Sequence, residues 1–283
     1  MKSVSQIPFL SEPLSVETVE IEVSGLPDRL NGIKVVQLSD FHYDGLLLSD
    51  ELLNQAIETA NCLEPDLIVL TGDYVTHTPK PIDQLARHLR RLQSRSGIYA
   101  VLGNHDLELP ESKIKISRAL TDAGIQVLWN QIAYPFGEDF AIVGLPDFWS
   151  SDFAPASVFE TLNPTVPRLV LSHNPDSAVP LSQWRVDLQL SGHTHGGQIA
   201  IPGVGAVPTW IQASRDRIPE PLWKWVPFLD LKWPKVVQHW QWAQGLHSVG
   251  ENRLYVNRGL GTFPPGRWYC PPEVTVFSLS RID

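Results

Sequence analysis

The sequence has too few cysteines and basic residues for several classes of protein. Cys62 and Cys270 are the only cysteines among 283 residues and lie far apart, so no disulfide framework is indicated. The 22 basic residues are outnumbered by 31 acidic ones, and a formal net charge of -9 disfavours a nucleic-acid partner, which would need a basic surface. Residues 1–30 contain no apolar run of the kind that a signal peptide or membrane span requires. We therefore expect a cytoplasmic protein.

Short apolar runs alternate along the chain with segments of helical spacing. Hydrophobic residues make up 43% of the sequence, enough for one large α/β domain or two small ones. Helices are predicted after Ser49, from Ile82 to Leu92 and from Ser112 to Ala123. The predicted strands are 16–23 at a sheet edge, 33–38, 67–70, 99–102, 125–128, 132–135, 140–145, 168–171 and 188–190. This alternation favours a layered α/β fold, in which the three strands between 125 and 145 could form a second sheet.

Five of these strands end in side chains that can bind a metal or move a proton. Gly103-Asn104-His105-Asp106 combines an amide oxygen, an imidazole and a carboxylate directly after a buried strand. His193 and His195, one residue apart and flanked by glycines, are the strongest single metal signal. The remaining strand ends carry Asp40 with His42, Asp73, and His173. Each of these ends alone could also be an ordinary polar turn with a helix cap.

Taken together, the strand ends supply nitrogen and oxygen ligands without a thiolate. Such a set suits two hard or borderline ions, with Mn²⁺ expected first and Fe, Zn²⁺ or Mg²⁺ as alternatives. The series Asp-x-His, Gly-Asp, Gly-Asn-His-Asp, His and Gly-His-x-His, in order from Asp40 to His195, resembles the calcineurin-like metallophosphoesterase superfamily. Residues 254–262, followed by Pro271-Pro272-Glu273-Val274, are similar to its bacterial YkuE/YaeI-like branch.

The resemblance implies a fold and a reaction. Residues 1–283 would form a single domain, a four-layer α/β/β/α sandwich with a dinuclear metal centre. By motif, Asp40, His42, Asp73 and His195 would hold one ion, and Asp73, Asn104, His173 and His193 the other. Two such ions activate a bridging water as a hydroxide nucleophile and clamp the phosphoryl oxygens of a phosphodiester or pyrophosphate.

Three further residues are assigned roles around this centre. His105, which is not among the ligands, would protonate the leaving oxygen or stabilise the transition state, and Asp106 would fix its tautomer. Arg258 would grip a substrate phosphate, with a surface salt bridge as the alternative. Because every ligand and His105 are present, hydrolysis is favoured over a catalytically weak metal-bound interaction scaffold. The acidic net charge disfavours a nuclease of the same fold.

Residues 209–242 have no role in this scheme. They hold six of the ten tryptophans, with five basic residues against three acidic ones between positions 215 and 235. We predict an insertion that caps the site or touches the inner membrane face as a peripheral contact, and packing as core is the alternative. Related lipid-acting members use such an insertion to cover acyl chains, so the resemblance implies a lipid-linked substrate such as UDP-2,3-diacylglucosamine. Members of the branch often begin with a membrane anchor or twin-arginine signal, which is not found in this sequence.

Overall fold

A computed structural model describes residues 12–225 and 237–282 of the chain. Its strands are β1 (Ser15–Ser24), β2 (Ile33–Leu38), β3 (Leu67–Leu70), β4 (Ile98–Ala100), β5 (Gln126–Val127), β6 (Gln131–Ala133), β7 (Ala141–Gly144), β8 (Arg168–Leu171), β9 (Leu188–Ser191), β10 (Ala200–Ile201), β11 (Gly205–Ala206), β12 (Gly245–Val249), β13 (Asn252–Val256) and β14 (Glu273–Ile282). Its α-helices are α1 (Asp50–Cys62), α2 (Ile82–Leu89), α3 (Ser112–Asp122), α4 (Ala156–Phe159), α5 (Ala178–Leu181) and α6 (Val207–Arg215).

Two six-stranded sheets organise these elements. The first has the order β1-β14-β2-β3-β4-β5 and the second β12-β13-β9-β8-β7-β6, while β10 and β11 form a separate ribbon. The predicted edge strand is confirmed, since β1 is the outermost strand of the first sheet. The placement of 125–128 in a second sheet is wrong. After helix α3 the chain crosses back and β5 pairs in parallel with β4, so only β6 and β7 belong to the second sheet.

The alternation of side chains along the strands produces four layers. Val35 of β2 belongs to the apolar layer between the two sheets, together with Leu171 of β8. Its neighbour Val36 points to the opposite face, where α1, α2 and α3 pack. Val170 lies on the outer face of the second sheet, which α4 and α5 cover. The predicted α/β/β/α sandwich is therefore confirmed.

Parallel strands bring the polar strand ends to a common edge. β2, β3 and β4 run parallel in the first sheet, and β7, β8 and β9 run parallel in the second. Backbone hydrogen bonds tie neighbouring ends together: the Asp40 N–H donates to the Gly72 carbonyl at 2.9 Å, and the Gly192 N–H donates to the His173 carbonyl at 2.9 Å. The carboxyl ends of such strands are where α/β folds place reactive groups. Within the described residues, no helix combines the length and apolar character needed to cross a bilayer.

Candidate metal centre

Two groups of potential metal ligands meet at this edge of the sandwich. They are Asp40 with His42 and His195, and Asp73 with His173 and His193. Within each group, one ligand atom per residue lies within 4.8 Å of the others. Asp73 connects the groups, since its Oδ2 lies 3.4 Å from His42 Nε2 and 3.1 Å from His173 Nε2. The fold thus brings together six of the seven predicted ligands, with one carboxylate in a bridging position.

Asn104 completes the predicted set and provides a test of whether metal ions fit. Its Oδ1 is buried and has no hydrogen-bond partner. A buried carbonyl oxygen without a partner costs about 1–3 kcal/mol, so natural proteins seldom leave one unless a ligand uses it. His42 Nε2 also faces His195 Nε2 at 3.1 Å, and His173 Nε2 faces His193 Nδ1 at 3.2 Å. Imidazole nitrogens that converge in pairs beside an unpaired amide oxygen and two carboxylates fit bound cations.

Hydrogen bonds to backbone carbonyls orient two of the imidazoles. His173 Nδ1 lies 2.6 Å from the Thr71 carbonyl oxygen, and His195 Nδ1 lies 3.1 Å from the Gly261 carbonyl oxygen. A carbonyl only accepts, so each Nδ1 carries the proton and each Nε2 presents its lone pair to the cluster. The buried guanidinium of Arg267 holds the second carbonyl in place by donating to Gly261 at 2.7 Å. Sequence reasoning missed Arg267 because no metal motif includes it.

The backbone at the ligands is strained. Asp40, His42, Asp73, His193 and His195 all have positive φ, between 42° and 71°. For residues with a Cβ this conformation is uncommon and costs of order 1–3 kcal/mol where it is held by its surroundings. Five ligands with the same strain indicate that the surrounding structure orients these side chains toward a common point.

Burial and mutual charge shift the pKa values of the cluster. Burial would lower the pKa of His173, but Asp73 beside it outweighs this effect and raises that pKa to about 10. The same contact holds the pKa of Asp73 well below its usual range, although burial acts in the opposite direction. Burial lowers the pKa of His42 to about 3. The ionised Asp73 therefore attracts positive charge, and a metal ion would take the place of the proton on His173.

Glycine is required where the chain approaches Asp40. A Cβ at Gly192 would lie 2.1 Å from Asp40 Oδ2 and 2.1 Å from Ser39 Oγ, closer than atoms can approach. We expect Gly192→Ala to displace the Asp40 carboxylate and weaken metal binding about 10–100-fold, the usual effect of disturbing a ligand's support. Calorimetric titration with Mn²⁺ measures this change. Gly203→Ala adds strain at a φ of 78° but no clash, since its methyl group would meet nothing within 4 Å, so it is the control for a general effect of backbone strain. Equal Mn²⁺ affinities of Gly192→Ala and the wild type would contradict the expectation.

The structure corrects the role assigned to Asp106. This buried carboxylate accepts backbone N–H groups from Asp73 and Gly103 at 2.9 Å through one oxygen, and from Tyr74 at 2.9 Å through the other. Both of its oxygens therefore accept backbone hydrogen bonds that fix the loop carrying Asp73. The orientation of His105 comes from Glu108, whose Oε1 lies 2.8 Å from His105 Nδ1, and from the Thr76 carbonyl at 2.7 Å.

Arg258 is held by carboxylates of the protein itself. Its guanidinium pairs with Glu273 at 2.9 Å and with Glu17 at 2.5 Å, and its Nε donates to the Pro271 carbonyl at 3.0 Å. These contacts form the salt bridge that was the alternative prediction for Arg258, and this salt bridge is partly buried. They use the donors that a substrate phosphate would need, so we assign Arg258 a structural role.

Asp147 is a site residue that sequence reasoning missed. It follows β7 and is 1% exposed; one carboxylate oxygen accepts the Trp149 N–H at 2.9 Å, while Oδ2 has no partner. Burial raises the pKa of Asp147, and the charge of His173 acts on it in the opposite direction. The signal was available, because Gly144-Leu145-Pro146-Asp147 is another strand end that stops at a carboxylate, as at Asp40.

A cavity of about 640 Å³ is lined by Trp149, which follows β7, and by residues of the segments 208–223 and 237–240. Its apolar lining consists of Trp149, Pro208, Ile211, Trp223, Val237 and Trp240. Residues 237–240 form one wall of the cavity. Asp176, three residues after His173, holds this wall in place by accepting the backbone N–H of Gln238 at 2.6 Å. Part of the predicted 209–242 insertion, including Trp233, lies outside the described residues. Within the described part, Trp223 and Trp240 line the cavity, while Trp242 packs against a small core cluster.

Comparison with known proteins agrees with this site. Residues 33–197 match the family model described as calcineurin-like phosphoesterase. The chain is 33% identical to Phosphodiesterase YaeI of Escherichia coli, over 95% of this chain and 90% of that protein. It is 28% identical to UDP-2,3-diacylglucosamine pyrophosphatase LpxG of Chlamydia muridarum, over 88% of this chain and 84% of that protein. It is 32% identical to the metallophosphoesterase YkuE of Bacillus subtilis, over 96% of this chain and 88% of that protein.

The matched region contains all seven predicted ligands and His105, so motif, geometry and similarity point to one conclusion. The family is dinuclear and metal-dependent, and its candidate ligand types cluster in this structure. The chain belongs to the calcineurin-like phosphoesterase family and is a metallophosphoesterase.

Proposed function

We propose that the protein hydrolyses a phosphodiester or pyrophosphate bond with two divalent metal ions, in a substrate that carries a lipid group. The observation that carries the hydrolytic part is the position of Asp73, whose carboxylate reaches both groups of ligands. When bound, the two ions supply an activated water and neutralise charge on the phosphoryl oxygens. Mn²⁺ is the first ion to test because carboxylate and amide oxygens suit it, while the imidazoles make Fe and Zn²⁺ alternatives, with Mg²⁺ as a further one.

Each side chain of the centre has a definite task in this proposal. Asp40, His42 and His195 hold one ion, while Asn104, His173 and His193 hold the other, and Asp73 is common to both. His105 donates a proton to the leaving oxygen. Its Nδ1 is engaged by Glu108 and by the Thr76 carbonyl, which leaves Nε2 for the substrate. Asp106 contributes by keeping the Asp73 loop in its strained conformation.

The cavity supports a lipid-bearing substrate. Its tryptophans offer large apolar surfaces, and sites of this size and lining bind ligands of mixed apolar and polar character. Large apolar side chains on either side of α6 in the sequence are exposed, among them Val204 at 55% and Leu222 at 50%. These exposed side chains also support peripheral contact with a lipid surface through the same segment.

UDP-2,3-diacylglucosamine is the first substrate to test. It joins a pyrophosphate to a sugar with two acyl chains, and it is named for the Chlamydia muridarum relative. The Escherichia coli relative is named as a phosphodiesterase, so a soluble diester belongs in the same panel. A panel of acylated and soluble esters, assayed with Mn²⁺-loaded protein, tests the proposal. If only the soluble diester is hydrolysed, the proposal of a lipid-bearing substrate is contradicted. If no ester in the panel is hydrolysed, a metal-bound scaffold is favoured.

Removing tryptophan from the cavity should reduce the preference for acylated substrates. We expect Trp149→Ala and Trp223→Ala each to lower kcat/KM for the acylated substrate about 10- to 150-fold, because losing apolar contact of this size costs about 1.5–3 kcal/mol. Hydrolysis of a short soluble diester should change little. Trp129→Ala, a tryptophan that contacts Lys113 and does not line the cavity, is the control. Parallel losses on both substrates would refute the assignment of the cavity.

A further inference from the structure

The ring of Phe263 lies at the metal centre and not in the apolar core. Its centroid is 4.8 Å from that of the His42 ring and 5.2 Å from that of the His195 ring, with the planes inclined by 71° and 77°. A third imidazole, that of His105, lies 6.4 Å away. Within residues 12–225 and 237–282, none of the four apolar clusters includes Phe263. Core packing therefore does not explain why an apolar ring stands here.

Backbone hydrogen bonds fix the loop that carries this ring. The Gly261 N–H donates to the Asp40 carbonyl at 2.7 Å, and the Phe263 N–H donates to Gln198 Oε1 at 2.6 Å. The Gly266 N–H then closes a turn by donating to the Phe263 carbonyl at 2.9 Å. Phe263 itself is only partly buried. A ring that is held in place before a substrate arrives loses little freedom when it binds one.

We propose that Phe263 contacts the leaving group of the ester and favours a leaving group that carries an aromatic ring. Because Phe263 touches the rings of two proposed ligands of one ion, a phosphate group at the centre brings one of its organic substituents next to Phe263. The rings of His42 and His105 are 4.9 Å apart, so Phe263 borders the side of the centre where His105 stands. Aromatic rings attract one another edge-to-face or offset, at centroid separations of about 4.5–7 Å. Contact with a bound ring requires the metal centre alone, whereas its assignment to the leaving group rests on the proposed function.

The alternative role of Phe263 is to hold the ring of His42 in place. His42 Nδ1 is buried and has no hydrogen-bond partner in the described part of the chain, so packing against Phe263 contributes to the orientation of this ligand. Phe263→Leu separates the two roles, because leucine fills much of the same space but has no aromatic ring. Phe263→Tyr is the conservative variant that keeps the ring.

Binding of phosphonates tests the ring contact without hydrolysis, since a phosphonate has no ester bond to break. Calorimetry of the Mn²⁺-loaded protein compares phenylphosphonate with butylphosphonate, which is apolar but lacks a ring. The wild type should bind the phenyl compound about 2- to 12-fold more tightly, the contribution of one aromatic pair beyond its buried area. We expect Phe263→Tyr to keep this ratio and Phe263→Leu to bring it to about one. A wild-type ratio in Phe263→Leu would overturn the contact.

Metal content and a second aromatic side chain are the controls. Phe263→Leu should hold the wild-type number of Mn²⁺ ions per chain, and a lost ion would assign Phe263 to the support of His42 and overturn the proposal. Tyr269→Ala removes a side chain of the same loop that is 58% exposed and whose ring lies 5.4 Å from that of Trp268. This variant should keep the wild-type ratio. Loss of the ratio in Tyr269→Ala as well would show a general disturbance of the loop and contradict a specific contact.

Turnover then tests the assignment to the leaving group. Two esters are compared whose leaving groups are equally acidic, one an aryl group and the other a fluoroalkyl group, so that both need a proton to the same extent. The ratio of kcat/KM for the aryl ester to that for the fluoroalkyl ester should fall about 2- to 12-fold in Phe263→Leu. An unchanged ratio, with the phosphonate preference lost, would place the ring contact on the other substituent and overturn the leaving-group assignment. If neither ester is hydrolysed, the proposed function fails, while phosphonate binding still decides whether Phe263 contacts a bound ring.

Discussion

Asp73→Ala is expected to lower kcat/KM for every phosphate ester by at least about 10³, because metal ions stabilise the transition state by several kcal/mol. Asp73 is the carboxylate that reaches His42 and His173 together, so its loss removes a ligand from both ions. Its Oδ1 also accepts the backbone N–H of His105 at 3.0 Å, which places the proposed proton donor. No other ligand substitution should reduce activity as much.

Metal content distinguishes this explanation from a general loss of structure. Asp73→Ala should hold fewer ions than the wild type after reconstitution with Mn²⁺, while its far-ultraviolet circular dichroism is unchanged. Asp152→Asn, at an exposed carboxylate paired with Lys113, is a control that should retain both ions and full activity. An Asp73→Ala protein that keeps two ions and hydrolyses esters normally would refute the bridging role.

His105→Ala is expected to have the second largest effect and to leave both ions in place. If His105 protonates the leaving oxygen, kcat should fall by about 10²–10⁴, the usual contribution of acid–base catalysis. A nitrophenyl leaving group hardly needs a proton, so the loss should be much smaller for that ester. Glu108→Gln should reproduce part of the effect, because Glu108 contacts the opposite nitrogen of the ring.

Measuring kcat with good and poor leaving groups decides between two roles of His105. A loss that grows as the leaving group becomes more basic supports proton donation. Equal losses for all leaving groups would contradict it and indicate electrostatic stabilisation of the phosphoryl oxygens. Metal analysis of the variant is the control, since a missing ion would explain any loss without a role for His105.

The layered fold and the ligand cluster could be predicted from sequence because local patterns determine both. Short apolar strands alternating with helices imply parallel strands, and parallel strands bring their carboxyl ends to one edge. Asp40, Asp73 and His173 stand at such ends, so their convergence required no knowledge of distant contacts. The structure brings together six of the seven side chains that the motifs selected. Their individual assignment to two ions remains a prediction.

The errors concern choices that local patterns do not determine. Two acidic residues, Asp106 and Glu108, lie within reach of His105, and the short helical turn His105–Leu107 decides which of them contacts the ring. Arg258 is paired with Glu17, 241 residues away in sequence, because β1 lies alongside β14. Likewise, tertiary packing places β5 in the first sheet, and the residue pattern of a short strand does not determine which sheet the strand joins.

Anomalous diffraction from crystals of the Mn²⁺-loaded protein shows whether one carboxylate joins two metal ions. We expect two anomalous peaks, each about 2.0–2.3 Å from an oxygen of Asp73, a usual distance for such ligands. One peak should contact Asp40, and the other should contact the Asn104 amide oxygen. A single peak, or two peaks that do not share Asp73, would rule out a bridging carboxylate.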